Sequence, residues 1–296
     1  LHEGHLDNHL RICVEEGLDA VTAIRMATLN AAECFDLKDR GAIAPGYRAD
    51  VVLLDDLKDF HVNRVFIQGA LVAEEGKYLP EIKRYDISTV KGSVIVKDFS
   101  AEKFKMHLKS NKVNVIKILP GGVVTAKDTA EIQLDENGEF VRNPEEDIVK
   151  VAVVERHQGT GNVACGFLKG YGIKAGAVAL SIAHDSHNII VVGVSDEEME
   201  FAVNSLIAQE GGMVLVREGK VIESMPMPIG GLMSDQSGEW VDEKLTAIHA
   251  KAYEELGIAG DVEPVMTLCF MSLAVIPEVK LTDMGLFDVT TFSFIP

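Results

Sequence analysis

The hydrophobic pattern of the chain begins with two helices. Leu6, Leu10 and Cys13 recur at helical spacing, and Gly17 follows them as glycine commonly follows the end of a helix. A second helix is predicted after Asp19, whose carboxylate can cap its first turn. The side chains that share one face of this second helix are those of Val21, Ile24, Thr28, Ala31 and Phe35.

The middle of the chain is predicted to be mainly β. Short β-branched runs bounded by Gly, Pro or Asp are typical of strands. Strands are expected at residues 49–55, 62–66, 68–72 and 93–96, and within the β pattern of residues 113–138, which Pro120–Gly122 interrupts. Ser100 is expected to open a peripheral helix. Asn143 and Pro144 lie in an acidic, turn-rich segment, residues 135–147, which we interpret as a domain boundary.

The last part of the chain alternates strands and helices, which predicts an α/β or α+β domain. Ser195 and Glu198 match a capping box at the start of one helix, and Gly211 follows its end. The expected order is a strand at 148–156, a glycine-spaced loop at 159–176, strands at 177–180 and 189–192, a helix at 196–209, a hairpin at 213–223 and a helix at 240–256.

Composition narrows the range of partners and compartments. The 296 residues include 28 Lys and Arg against 46 Asp and Glu, a net charge of −18 that disfavours nucleic acid and anionic membrane surfaces. No apolar run reaches the ~20 residues that a membrane span needs. The four cysteines contain no CxxC pair, which indicates a reducing, cytoplasmic setting.

The densest group of polar side chains lies between two apolar runs. His184, Asp185, His187 and Asn188 separate strand-like residues 177–180 from 189–192. One interpretation is a polar turn whose imidazoles bond nearby backbone groups. The other is a functional loop that carries metal ligands, proton carriers or substrate contacts, because polar groups beside buried strands need a compensating role.

Other motifs are less specific. The glycines of residues 159–176 fit neither GxGxxG nor GxxxxGK[ST], so they predict tight turns and not a phosphate loop. The apolar segment 225–234 is either an extended packing segment or an apolar wall for a planar ligand. Glu3 and His5 form part of a second polar group near the start of the chain.

Several of these segments resemble a known enzyme family. Gly41–Leu53, preceded by Ala27–Ala32, resembles the part of amidohydrolase-superfamily enzymes where the chain leaves a (β/α)₈ barrel for a β-sandwich. Together with Glu3–Asp7, His184–Asn188 and Pro228–Ser234, the resemblance narrows to the bacterial adenine deaminases.

The fold implied by this resemblance is a mixed α/β and β structure in three parts. Residues 1–38 would be the terminal helices of the barrel, and residues 39–134 a mainly β portion of the sandwich with a peripheral helix. Residues 148–296 would be a C-terminal α/β (α+β) domain. The chain begins at Leu1 and not at Met, so we expect it to be a portion of a larger protein.

The function implied is the hydrolysis of adenine to hypoxanthine and ammonia, a step of purine salvage, at a divalent metal: manganese or iron, or else zinc. The family's His-x-His pair and its other metal ligands are expected to precede Leu1, because this sequence contains no His-x-His. The chain alone is therefore expected to be inactive. The candidate catalytic residues are His184, Asp185, His187, Asn188, Glu3 and His5, of which His184 and His187 are also secondary candidates for metal ligands.

The expected partners are adenine and further copies of the chain. The apolar face left without its barrel should favour a homo-oligomer. The alternative from another class is a non-catalytic binding or oligomerisation module whose polar loop is only structural.

Overall fold

The computed structural model describes residues 3–295, which form a mixed α/β structure in two compact units. The first unit ends at Tyr85 and the second begins at Asp86.

The first unit starts with the predicted pair of helices. Helix α1 spans Leu6–Glu15. The second helix is divided into α2 (Ala20–Arg25), a π-helical turn (Met26–Asn30) and α3 (Ala31–Cys34). The Asp19 carboxylate caps α2 by accepting a hydrogen bond from the main-chain amide of Thr22 at 2.9 Å, as the sequence predicts.

A four-stranded antiparallel sheet completes the first unit. Its strands, in sheet order, are β1 (Val51–Leu54), β2 (Val62–Ile67), β3 (Ala70–Glu74) and β4 (Lys77–Tyr78). Strands predicted at 49–55, 62–66 and 68–72 are present with slightly different bounds. The apolar run at 51–54 predicts that the first of these strands is buried, but that prediction was wrong, because Val52 and Leu53 are 52% and 43% exposed.

The second unit is larger and contains most of the strands. Its helices are α4 (Asp196–Ala208), α5 (Gly238–Glu254) and α6 (Pro264–Cys269), besides 3₁₀ turns at Ser88–Val90 and Ala101–Phe104. Its strands are β5 (Lys112–Ile118), β6 (Thr125–Glu131), β7 (Gln133–Leu134), β8 (Phe140–Val141), β9 (Ile148–Val154), β10 (Val163–Lys169), β11 (Ala177–Leu180), β12 (Ile189–Gly193), β13 (Gly212–Arg217), β14 (Lys220–Pro226), β15 (Val279–Thr282), β16 (Gly285–Asp288) and β17 (Ser293–Phe294).

An eight-stranded sheet organises this unit, in the order β14-β13-β11-β12-β9-β10-β5-β6. Strand pairing is antiparallel except between β10 and β5. Successive side chains of a strand point to opposite faces, and both faces of the central strands are covered. Val178 and Ile190 belong to the core that includes α5 and α6, whereas Ala179 and Val191 pack with the buried face of α4.

The division between the units differs from the boundary expected at residues 135–147. Leu168 of β10 pairs with Ile116 of β5, and β5 pairs with β6 along its whole length. Strands β5 and β6 therefore belong to the large sheet and to the second unit. The turn-rich stretch connects strands of one unit, because turns punctuate a domain as well as separate domains.

Three local predictions were also wrong. Residues 159–176 were expected to be a loop but contain β10, whose Gly166 lies where a Cβ would be 3.5 Å from Leu281. Residues 93–96 form no strand, although the Ile95 amide bonds the Arg156 carbonyl. The helix expected after Ser100 is one 3₁₀ turn, and it is not peripheral, because Phe104 is fully buried in the core.

Within residues 3–295, none of the helices combines the length and the apolar character that crossing a membrane requires.

Candidate functional site

The polar residues that the sequence singles out between residues 184 and 188 lie at one end of the large sheet. Because β12 runs antiparallel to both β9 and β11, the end of β9 and the end of β11 lie beside the start of β12. The start of β13 is at the same end, since Met213 pairs with Leu180. The loop after β11 (residues 181–188, the histidine loop) and the segment after β14 (residues 227–233, the glycine loop) therefore leave the sheet together.

The histidine loop is held by its own main chain and by α6. The His187 amide donates to the Ala183 carbonyl at 2.6 Å, and the His184 amide donates to the Cys269 carbonyl at 2.8 Å. The imidazoles of His184 and His187 are in edge contact, with ring centroids 5.1 Å apart, and His184 also contacts the Phe270 ring. These contacts fix both imidazoles near the sheet end.

The four candidates in the histidine loop differ in exposure. Asp185 is exposed, His184 and His187 are half-buried, and Asn188 is buried. The Asn188 side-chain oxygen accepts a hydrogen bond from the Arg156 amide at 3.3 Å. Asn188 thus faces inward, while the other three side chains remain near the surface.

Arg156 follows β9 and lies beneath both loops. Its Nε donates to the His187 carbonyl at 2.5 Å, and its Nη2 donates to the Gly230 carbonyl at 3.2 Å. The side chain is only 1% exposed. Sequence reasoning missed this residue, although two adjacent charged residues, Glu155 and Arg156, at the end of the strand predicted at 148–156 were a signal.

Ser181 makes a second connection between the loops. Its hydroxyl donates to the Gly231 carbonyl at 2.5 Å and accepts from the Gly212 amide at 2.7 Å. Met225 and Met227 lie in the core. For residues 225–227 the structure therefore favours the extended packing segment over the ligand wall.

Burial changes the acidity of the groups around this end of the sheet. Burial, the neighbouring His184 and the Arg156 cation all lower the pKa of His187, so its imidazole is neutral near pH 7. Burial also lowers the pKa of Arg156. A neutral imidazole has one donor and one acceptor nitrogen and can relay a proton.

Glu155 is also buried, and it remains ionised. Burial alone raises its pKa, but hydrogen bonds from the amides of Gln158, Thr160 and His157 outweigh burial and bring the pKa to about 2. Its carboxylate organises the turn after β9, so it is not a free proton acceptor.

The described residues do not form a metal centre. Within residues 3–295, no three side chains of His, Cys, Asp or Glu come together in a way that would hold a metal ion. His184 and His187 contact each other, but this part of the chain provides no third ligand beside them.

Glu3 and His5 lie in the first unit, at the start of α1. Both are exposed. The His5 amide donates to the carboxylate of Asp7 at 2.8 Å, and Asp7 forms an ion pair with Arg11 at 2.9 Å. The local contacts around them are those of a helix start.

Two segments of the chain match known protein families. Residues 3–72 match the amidohydrolase family. Residues 122–293, more than half of the chain, match the adenine deaminase C-terminal domain, and the chain belongs to that family.

Curated proteins that are similar to this chain are named adenine deaminase. The chain is 67% identical over 292 residues to adenine deaminase 2 of Desulfotalea psychrophila, covering 99% of this chain. It is 50% identical over 295 residues to the adenine deaminase of Ligilactobacillus salivarius and 46% identical over 294 residues to that of Nitratidesulfovibrio vulgaris, covering 100% and 99% of this chain. It spans 51% of the length of each of these relatives.

Proposed function

We propose that the chain is one half of an adenine deaminase, which hydrolyses adenine to hypoxanthine and ammonia in purine salvage. The observation that carries this proposal is the 67% identity to a protein named adenine deaminase 2, extending over 99% of the chain. In the reaction, the oxygen of water bonds to the purine carbon that bears the amino group, and the bond from that carbon to nitrogen breaks. The water protons leave with ammonia and on the product.

The amidohydrolase match supports a divalent metal, and our candidates are manganese, iron and zinc. The described residues do not gather ligands for it. We therefore place the metal ligands in the half of the longer relatives that this chain does not match.

The histidine loop is proposed to act on protons in this reaction. His184 and His187 carry imidazoles, and Asp185 carries an exposed carboxylate, so all three can accept and return protons. Asn188 is proposed to position the loop, because its carboxamide bonds the Arg156 amide. Glu3 and His5 are proposed as additional substrate contacts.

The architecture assigned to the longer protein follows the two family matches. We propose that residues 1–38 are terminal helices of a (β/α)₈ barrel and that the sheet β1–β4 is part of its β-sandwich. Large apolar side chains of this first unit are exposed, including Phe35 at 76% and Ile43 at 90%. Such a surface supports association, and we propose a homo-oligomer.

The setting proposed for the enzyme rests on composition. The four cysteines form no disulfide within the described residues, which supports a reducing cytoplasm. The net charge of −18 supports a small-molecule substrate over nucleic acid or a membrane surface.

A chimera tests this function directly. In it, this chain replaces the matching half of the Desulfotalea psychrophila protein, and the parent protein is the control. We expect the chimera, supplied with manganese, iron or zinc, to convert adenine to hypoxanthine. A folded chimera that is inactive beside an active parent would contradict the proposal.

A further inference from the structure

The second unit buries a cation without a counter-ion. Arg156 is 1% exposed, and no carboxylate of residues 3–295 forms an ion pair with its guanidinium. Burying a charge is costly unless hydrogen bonds compensate for the lost water. The groups that bond the Arg156 guanidinium must therefore replace the water that it has lost.

Those groups belong to both loops at the sheet end. Nε bonds the His187 carbonyl of the histidine loop, and Nη2 bonds the Gly230 carbonyl of the glycine loop. A planar guanidinium can bond two carbonyls at once because its N–H groups have fixed directions. Arg156 thus connects His187 and Gly230, which are 43 positions apart in the chain.

The glycine loop fits closely over the guanidinium. A Cβ at Gly231 would lie 2.7 Å from Nη1 and 3.0 Å from the guanidinium carbon of Arg156. Gly231 also has a φ of 72°, which favours glycine. Only a residue without a side chain allows this segment to approach Arg156 so closely.

We propose that Arg156 is a positioning residue: by bonding the His187 and Gly230 carbonyls, it holds the histidine loop against the glycine loop and so orients His187. Its relevance to catalysis rests on the proposed function. Its effect on the loop does not, and the two can be tested separately.

The loop is tested in the 296-residue chain by amide hydrogen exchange. The His187 amide bonds the Ala183 carbonyl within the loop, and the Val191 amide lies in buried β12 and reports on the sheet. In Arg156→Gln we expect exchange at His187 to rise about tenfold or more relative to Val191, the scale of a lost hydrogen bond to a charged group. Arg156→Lys should recover only part of this, because one ammonium cannot replace the guanidinium at both carbonyls.

Lys280→Met is the matched control. Lys280 is a fully buried cation that donates to the Val123 carbonyl at 2.9 Å. Its loss should leave the ratio of His187 to Val191 exchange unchanged. An equal rise at both amides in Arg156→Gln, or the same selective rise in Lys280→Met, would overturn the proposal.

The imidazole gives a second measurement that general destabilisation would not mimic. Because the Arg156 cation contributes to the low pKa of His187, Arg156→Gln should raise that pKa in an NMR titration, while Lys280→Met should not. An unchanged His187 pKa in Arg156→Gln would contradict the contact on which the proposal depends.

In the chimera, Arg156→Gln should lower kcat/KM about tenfold or more, with partial recovery in Arg156→Lys. Full activity of folded Arg156→Gln, in an otherwise active chimera, would overturn the role in catalysis. If the unsubstituted chimera is inactive, the proposed function fails, and the exchange and titration results alone decide whether Arg156 orients the loop.

Discussion

Thr160 donates twice to one oxygen of Glu155: its main-chain amide lies 2.9 Å and its hydroxyl 3.0 Å from Oε2. The other carboxylate oxygen accepts from the amides of His157 and Gln158. This buried carboxylate ties the turn after β9 to the strand end that carries Arg156.

The turn therefore makes stability depend on pH. The Glu155 pKa is about 2 in the folded chain, against 4.5 as its ordinary value. Because folding lowers the pKa of Glu155, its ionised carboxylate stabilises the folded chain. This stabilisation is fully present above pH 4.5 and is lost as the pH falls toward 2. Glu155→Gln should lower the free energy of unfolding at pH 7 by up to about 3 kcal/mol.

Urea unfolding of both proteins between pH 7 and pH 3 measures this effect. The difference between wild type and Glu155→Gln should shrink as the pH falls below 4.5. A difference that stays constant over that range would show that the ionised form of Glu155 is not what stabilises the turn.

Ser181 should be important for stability although it is small. In Ser181→Ala, the buried Gly231 carbonyl and Gly212 amide lose their hydroxyl partner. We expect a loss of about 1–3 kcal/mol in the free energy of unfolding. Ser186→Ala, an exposed change in the same loop, is the control and should alter stability by less than about 0.5 kcal/mol. Equal effects of the two changes would contradict the importance of these hydrogen bonds.

A buried ion pair at the start of α4 should show strong coupling. Lys150 Nζ lies 2.6 Å from the Asp196 carboxylate, and these side chains are 6% and 13% exposed. Asp196→Asn leaves the buried ammonium without its counter-ion and should cost about 3–5 kcal/mol.

The double variant Lys150→Met with Asp196→Asn should be more stable than the sum of the single effects implies. Chemical unfolding of the four proteins gives the coupling energy. Strict additivity would mean that the pair is not coupled.

His187→Gln tests the proposed role of the histidine loop. A carboxamide keeps a local hydrogen bond but cannot relay a proton as imidazole does. In the chimera we expect kcat/KM to fall about 100-fold or more. His107→Gln, which replaces an imidazole that is 72% exposed, is the control and should retain activity. Unchanged activity in His187→Gln, or a loss that a thermal melt explains by unfolding, would return the loop to a structural role.

The sequence predicted elements well wherever a largely apolar run or a cap was present. The runs 148–154 and 189–193 are buried strands, and Ser195 caps α4 by accepting from the Glu198 amide. Strand β10 was missed because Gly166 interrupts its apolar pattern. Gly166 lies beside Leu281, which is more than 100 positions away, and local patterns contain no information on such contacts.

The candidate site was predicted in the same uneven way. The position of the histidine loop between two buried strands followed from local sequence and is confirmed. The supporting contacts of Arg156 and Ser181 were not predictable, because they join segments that the sheet brings together. Charge and polarity would place both side chains at the surface, yet the structure buries them.

The decisive measurement is the release of ammonia from adenine, made in parallel for the isolated 296-residue chain and for the chimera. Each protein is supplied in turn with manganese, iron and zinc, and hypoxanthine is quantified in the same samples. We expect product from the chimera and none above background from the chain alone, because residues 3–295 gather no metal ligands. Enzymatic production of hypoxanthine by the isolated chain, or none by a folded chimera beside an active parent, would contradict this expectation.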